Sequence, residues 1–259
     1  MKLKYYLKKK CWRLAIFNNK LNPKIKNKGD NQSNRTVIAL TKEVDVRMVV
    51  VGPEAPLVAG LVDELNVVCP DVLCFGPTKA AAELEASKAF SKDFLRECDI
   101  PTAKYRTFTD PAEAIEYVKS LDDNDRQVVK ASGLAAGKGV LLPTSKEETV
   151  AAVKEIMSDK SFGSAGDICV IESFLTGPEA SCFALCDGKT AVLMPAAQDH
   201  KRALDNDQGL NTGGMGAYAP APCVTPDLQN EIEAMCIKTV EKMAERGTPY
   251  VGLLYAGMM

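Results

Sequence analysis

A glycine-rich loop with β-type sequence on both sides constrains this chain more than any other segment. Residues 128–139 read VVKASGLAAGKG, and the apolar run GVLL continues from Gly139. Lys130 ends the first β-type run and Lys138 sits in the loop. Glycines let backbone N–H groups come close to phosphate oxygens, and two lysines supply point charges against a polyanion. A Walker P-loop has four residues between its first glycine and its Gly-Lys pair, then Ser or Thr, then a helix. Here only Leu134, Ala135 and Ala136 separate Gly133 from Gly137, and Gly139 stands where the Ser or Thr belongs. The loop also leads into another β-type run, so a hairpin lidding a nucleotide fits better than a helix-mounted cradle. An ordinary surface hairpin is the plain alternative.

Composition narrows the partners. The chain has 259 residues, 46% hydrophobic and 25% charged, with a net charge of −2. That near-neutral balance gives no electrostatic case for nucleic acid or a membrane surface as the main partner. No uncharged apolar run approaches the roughly 18–20 residues that span a bilayer. The nine cysteines are scattered, with no CxxC pair. That pattern fits reduced thiols in a cytoplasmic protein better than disulfides or a zinc site. Residues 1–30 carry nine lysines and Arg13 against Asp30 alone, with many asparagines and no secretory h-region. Residues 1–44 are therefore expected to form a disordered tail outside the fold.

From Val46 the pattern becomes orderly. VRMVVV ends in GPEAPL, with a helix expected to about Asn66, and VLCF ends in GPT before one long helix over 78–98 capped by Thr78. Strand–loop–helix repetition implies a parallel α/β sheet with ligands at the carboxyl ends of its strands. After Pro101 the rhythm changes. KYRTF reads as a strand, and Asp110 with Pro111 opens a helix to Ser120. Ser145 and Glu148 form a capping box for a helix over 146–158, and three β-rich runs follow, DICVIESFL, EASCFALCD and TAVLMPA. Residues 196–222 are expected to be a long irregular loop, a length usually tied to function. A helix over 225–246 and the strand YVGLLYAGMM complete the pattern.

Two further stretches could carry chemistry. IESFLTGPEAS holds Glu172 and Glu179 around an apolar linker. Phe174 and Leu175 could frame an adenine-binding hinge of backbone groups, with Glu179 accepting ribose hydroxyls; a strand end and surface turn is the alternative. QDHKRALDNDQGLNTGGMGAY holds the single histidine, His200, with Asp205, Asp207 and a glycine nest. This suits a polar, anionic substrate. No Ser or Cys nucleophile pairs with His200, and no general-base role is assigned to it.

Taken together, VVVGPEAPLVAG, FGPTKAAAELEASKAFSKDFL, IPTAKY, VVKASGLAAGKGV, AAQDHKRALDNDQGLNTGGMGAYAPAP and LLYAGMM resemble the phosphoribosylamine–glycine ligases of the ATP-grasp superfamily, over residues 45–259. The resemblance implies an α/β and α+β fold: a partial parallel α/β domain over 45–86, then an incomplete ATP-grasp domain over 87–259. It implies ATP as the nucleotide, with Mg or Mn in the intact enzyme, and glycine and 5-phosphoribosylamine as substrates. By the resemblance Lys130 meets the phosphates from its strand, Lys138 from the flap, and Lys88 from a helix. Glu172, Ser173, Phe174 and Leu175 fit the adenine hinge, and Glu179 the ribose. Gly52, Pro53 and Glu54, with Gly213, Gly214, Met215 and Gly216, hold phosphoribosylamine. Asp199 faces the amine or glycine, and Lys138 and Asp199 are the catalytic candidates.

The departures from the family pattern also shape expectation. The Gly-Gly-Arg-Glu-His loop with which such enzymes open has no counterpart in residues 1–44. The segment carrying the magnesium-binding Glu and Asn is expected to lie beyond Met259, so no metal ligand is assigned. The chain reads as an incomplete form of the ligase, possible in a larger multifunctional purine-synthesis polypeptide. A non-catalytic ATP-binding remnant or subunit is the second reading.

Overall fold

The computed structural model describes residues 14–17, 30–43, 46–135, 138–200, 202–205, 208–212 and 214–259. The chain divides into two compact units, Met1–Ala82 and Glu83–Met259.

The first unit has a three-stranded parallel sheet in the order β1 (Leu14–Phe17), β2 (Met48–Val51), β3 (Leu73–Phe75). Around it lie α1 (Asp30–Glu43), α2 (Glu54–Val58) and α3 (Leu61–Val68). Gly60, at φ +87°, sits in the left-handed region between α2 and α3, a conformation that only glycine enters without strain. The core gathers Val37, Val49, Val51, Leu57, Leu61, Val62 and Leu65, with Ala82 from α4 (Lys79–Ala86).

Residues 1–44, expected outside the fold, therefore need correction. Leu14–Phe17 pair in register with Met48–Val51, and α1 packs on the core through Val37. The helix escapes sequence reading because its buried stripe, Asn34, Val37 and Thr41, is polar at two positions. Each has a partner for its donor: the Asn34 amide N–H donates to Glu64 at 3.2 Å, though the Asn34 carbonyl oxygen is buried without a partner, and the Thr41 hydroxyl donates to the Val37 carbonyl at 2.8 Å.

The second unit takes in the end of α4 and then α5 (Lys88–Glu97). There follow β4 (Tyr105–Phe108), α6 (Pro111–Ser120), β5 (Gln127–Ala131), β6 (Val140–Leu141), α7 (Lys146–Met157) and β7 (Cys169–Ser173). Their four strands form an antiparallel sheet in the order β4-β7-β5-β6. Val129, Ala131, Cys169 and Ile171 project to one face and pack with Ala114, Val118, Val153 and Ile156 of the two helices. The period-2 alternation sends Val128, Lys130, Val170 and Glu172 to the other face.

A second antiparallel sheet, β14-β8-β9, joins β8 (Ala180–Asp187), β9 (Ala191–Leu193) and β14 (Val251–Met258). Cys182, Ala184 and Cys186 are buried on β8, as are Cys236, Val240 and Met243 on α8 (Pro226–Glu245), the helix that packs on this sheet. In chain order, four short strands lie between β9 and α8: β10 (Gln198–Asp199), β11 (Arg202–Leu204), β12 (Gln208–Asn211) and β13 (Ala217–Tyr218). They pair β10 with β13 and β11 with β12, so residues 196–222 are more regular than their glycine content suggests.

The single helix expected over 78–98 is two, broken at Ser87. The Ser87 hydroxyl accepts the Phe90 N–H at 3.2 Å and starts a new helix. The capping box at α7 is also shifted. Ser145 accepts the Glu148 N–H, but the Glu148 carboxylate takes the Thr144 N–H and hydroxyl, each at 2.7 Å. Among the described residues, no helix is long and apolar enough to cross a membrane.

Candidate nucleotide site

Strand register builds the centre of the site. Lys130 lies opposite Val170, and Glu172 opposite Val128, so Lys130 and Glu172 are diagonal neighbours on the face turned away from α6 and α7. Glu172 is 5% exposed, and the Lys130 ammonium ion-pairs with its Oε1. Lys92, from α5, sits 2.5 Å from Oε2, off the hydrogen-bonding direction, and also donates to the Thr102 hydroxyl at 2.7 Å. Its ammonium lies 5.7 Å from the centre of the Tyr105 ring, and Tyr105 faces Glu172 across the β4–β7 pair.

Lys88 stands one helical turn before Lys92, on the same face of α5. Its ammonium donates to the Gly133 carbonyl at 3.2 Å, and its N–H to the Ser132 carbonyl at 2.9 Å. The buried Ser132 hydroxyl accepts the Ala89 N–H at 3.0 Å. The first turn of α5 thus grips the loop that leaves β5. Burial pulls the Lys88 pKa below the ordinary lysine value, the neighbouring Lys130 ammonium lowers it further, and Glu172 opposes both.

This shift has a defined sign. The folded value lies below the unfolded 10.5, so the folded chain binds fewer protons, and stability from this group rises as pH climbs from the folded value toward 10.5. Lys88→Met removes that rise. Urea midpoints of the two proteins, measured between about pH 8 and pH 10, are expected to show the parent gaining on the variant as pH increases. Parallel curves would refute the assignment.

The flap closes on itself at the base of the β5–β6 hairpin, where the Ala131 N–H donates to the Gly139 carbonyl at 2.8 Å. A side chain on Gly139 would meet the Ala135 Cβ at 2.7 Å, and one on Gly133 the Ala165 Cα at 2.7 Å. Both glycines are therefore required by close packing rather than by mobility, Gly133 against the Ala165 backbone and Gly139 against the Ala135 methyl group. Lys138 is exposed, its N–H donating to the Ala135 carbonyl at 2.9 Å.

The expected hinge is altered in detail. The Ser173 N–H donates to the Lys104 carbonyl at 2.8 Å and the Phe174 N–H to the Arg126 carbonyl at 3.0 Å, so the sheet already uses both amides. The Arg126 guanidinium lies 3.8 Å from the centre of the Phe174 ring. Leu175, 46% exposed, is the first hinge residue beyond these sheet bonds. The Glu172 carboxylate belongs to the lysine cluster. Glu179 is exposed on the turn before β8.

The Ser181 hydroxyl on β8 donates to Asp199 on β10 at 3.2 Å. The His200 backbone holds the glycine turn, accepting the Met215 N–H at 2.7 Å and donating to the Gly216 carbonyl at 2.9 Å. Gly214 is at φ +115° with open space around it. Gly213 lies outside the described residues. Gly52, Pro53 and Glu54 belong to the first unit: Gly52 follows β2, and Pro53 caps α2, whose first residue is Glu54. The structure thus brings together Lys88, Lys130 and Glu172 from the expected set, and adds Lys92. The i,i+4 spacing of Lys88 and Lys92 on a helix was the available signal.

Residues 86–259 match the family model of the phosphoribosylglycinamide synthetase ATP-grasp (A) domain, and residues 7–85 that of the same enzyme's N domain. The chain belongs to the phosphoribosylglycinamide synthetase family. It is 52% identical over 238 residues to the trifunctional purine biosynthetic protein adenosine-3 of Homo sapiens, covering 91% of this chain and 23% of that protein. It is 48% identical over 241 residues to the phosphoribosylamine–glycine ligase of Vibrio parahaemolyticus, covering 92% of this chain and 55% of the ligase. The chain therefore spans about half the length of its single-function relatives. Among solved structures, the Thermotoga maritima phosphoribosylamine–glycine ligase superposes with a TM-score of 0.73 at 33% identity, over 89% of this chain and 57% of that one. D-alanyl-alanine synthetase A of Vibrio cholerae, 13% identical with a TM-score of 0.58, shares the fold. Within the synthetase family fold, the lysine cluster lies on the β4-β7-β5-β6 sheet and the glycine flap rises from its β5–β6 edge.

Proposed function

We propose that this chain binds ATP and takes part in the ATP-dependent ligation of glycine to 5-phosphoribosylamine, which yields glycinamide ribonucleotide, ADP and phosphate. The observation that carries the reading is the gathering of Lys88, Lys92 and Lys130 around one buried carboxylate, Glu172, beside a glycine flap that bears Lys138. Three ammonium groups against one carboxylate leave excess positive charge, which a polyphosphate would neutralise.

Lys130 and Lys88 are read as phosphate contacts from rigid elements, and Lys138 as one from the flap. Leu175 supplies the hinge amide for adenine, with Ser173 and Phe174 framing it and Glu179 toward the ribose. Gly52, Pro53 and Glu54 of the first unit are read as phosphoribosylamine contacts; in the second unit Gly214, Met215 and Gly216 are read in the same role, and Asp199 as facing the amine or glycine. The ligation passes through glycyl phosphate: the glycine carboxylate takes the terminal phosphoryl group of ATP, and the amine of phosphoribosylamine then displaces phosphate. The chain's own contribution is positioning and charge neutralisation, the main requirements of phosphoryl transfer. Mg or Mn, implied by the family, finds no group of three or more His, Cys, Asp or Glu side chains suited to hold it among the described residues.

In domain terms, residues 45–86, joined by β1 and α1, are read as the substrate-binding α/β part, and residues 87–259 as the ATP-grasp part. A trifunctional relative and a bifunctional one from Dictyostelium discoideum favour a place in a larger purine-synthesis polypeptide. Free cysteines throughout the described residues suit the cytoplasm.

Calorimetric titration with ATP and magnesium, followed by assay of glycine- and phosphoribosylamine-dependent ADP release, tests the reading. Binding with dependent release is the expected result. Binding without release would reduce this chain to a nucleotide-binding remnant or subunit. Failure to bind ATP would sink both readings.

A further inference from the structure

We propose that Lys92 is a positioning residue for nucleotide binding: it stays on Glu172 and so frees Lys130 to exchange that carboxylate for a phosphate. This inference rests on the ATP-binding reading above. Its warrant is the division of labour at one buried carboxylate. Lys130 ion-pairs with Oε1, Lys92 lies within ion-pair distance of Oε2 at 2.5 Å without a hydrogen bond to it, and the Glu172 side chain is 7% exposed. Lys130 cannot serve a phosphate fully while it neutralises Glu172. If it leaves with no second cation present, a buried carboxylate is stranded, and an unpaired buried charge is strongly disfavoured.

Lys92 is built to prevent that. Its side chain is only 14% exposed, and its ammonium is anchored independently by the Thr102 hydroxyl at 2.7 Å and by the Tyr105 ring. Tyr105 is itself fixed, donating its hydroxyl to Asp93 at 2.7 Å. Lys88 is placed otherwise: its ammonium donates to the Gly133 carbonyl at the base of the flap, while the ion pairs to Glu172 come from Lys92 and Lys130. Lys92 thus remains with Glu172 in both states, and the exchange at Lys130 moves one ammonium between two anions without exposing a naked charge.

A pairwise substitution test separates this role from simple packing. Lys92→Met keeps the stem over Tyr105 but removes the charge. It is expected to weaken ATP binding by about tenfold or more, the scale of one charge-assisted hydrogen bond. Lys92→Met combined with Glu172→Gln is expected to recover most of that loss, because a neutral residue 172 strands no charge when Lys130 moves. Lys92→Arg, which keeps the charge, should stay near the parent and remains informative if Lys92→Met folds poorly. Affinities are measured calorimetrically with ATP and magnesium, at a temperature where thermal scans show each variant folded. Unchanged affinity in Lys92→Met, a loss that Glu172→Gln does not recover, or a tenfold loss in Lys92→Arg would each overturn the proposal while leaving ATP binding by the parent intact. A parent chain that does not bind ATP would instead overturn the functional reading on which it rests.

Discussion

Glu172→Ala is expected to lower the unfolding free energy by about 3–5 kcal/mol, the cost of removing one partner from a buried ion pair. Glu172 neutralises Lys130 and Lys92 directly and opposes the depression of the Lys88 pKa. Without it the three ammonium groups repel one another on a sheet face where Lys92 is 14% and Lys130 24% exposed in their side chains. Water can reach Lys130 better than Lys92, so the strain falls mainly on α5 and its contact with the flap base. A domain's whole stability is about 5–15 kcal/mol, so the variant should unfold at much lower denaturant. Chemical unfolding at neutral pH measures the loss, and added salt should recover part of it by screening the repulsion. A loss below about 1 kcal/mol, the range of exposed ion pairs, would show that solvent already screens the cluster.

Lys130→Ala should weaken ATP binding more than Lys138→Ala. Removing a charged hydrogen bond to phosphate costs roughly 1.5–3 kcal/mol, about tenfold to a hundredfold in affinity. Lys130 is placed by the β5–β7 register, whereas Lys138 is exposed in the flap and must be ordered when the ligand arrives. That ordering offsets part of what its charge contributes. Lys130→Ala also leaves Glu172 with Lys92 alone, so unfolding curves must accompany the titrations. Equal and negligible effects of the two substitutions would remove both lysines from the phosphate site.

Elements governed by local rules were legible in the chain itself. Asp110 caps α6, its Oδ1 accepting the N–H groups of Ala112 at 2.7 Å and Glu113 at 3.0 Å, and Pro111 follows at the first helical position. The runs over 169–173, 180–187 and 251–258 became strands because each is a short, predominantly apolar run next to Gly-containing segments. The break at Ser87 was not legible. Ser87, Lys88 and Ala89 are held by Ser132, which arrives from the far end of β5, and no window of the sequence contains both partners. The α1 stripe was hidden for a related reason: Asn34 looks solvent-facing until Glu64 is brought to meet it.

The site divides along the same line. The sequence alone determined that a strand-borne lysine and a glycine-rich hairpin lie together, because they form one contiguous motif. It also carried the family resemblance. Only the tertiary structure decided what Glu172 does. Its neighbours in the chain suggest a hinge residue, but antiparallel register puts it diagonal to Lys130, and the docking of α5 puts Lys92 on its other oxygen. Charge at a buried carboxylate is governed by what lies within a few ångströms in space, and here those groups come from three separate elements.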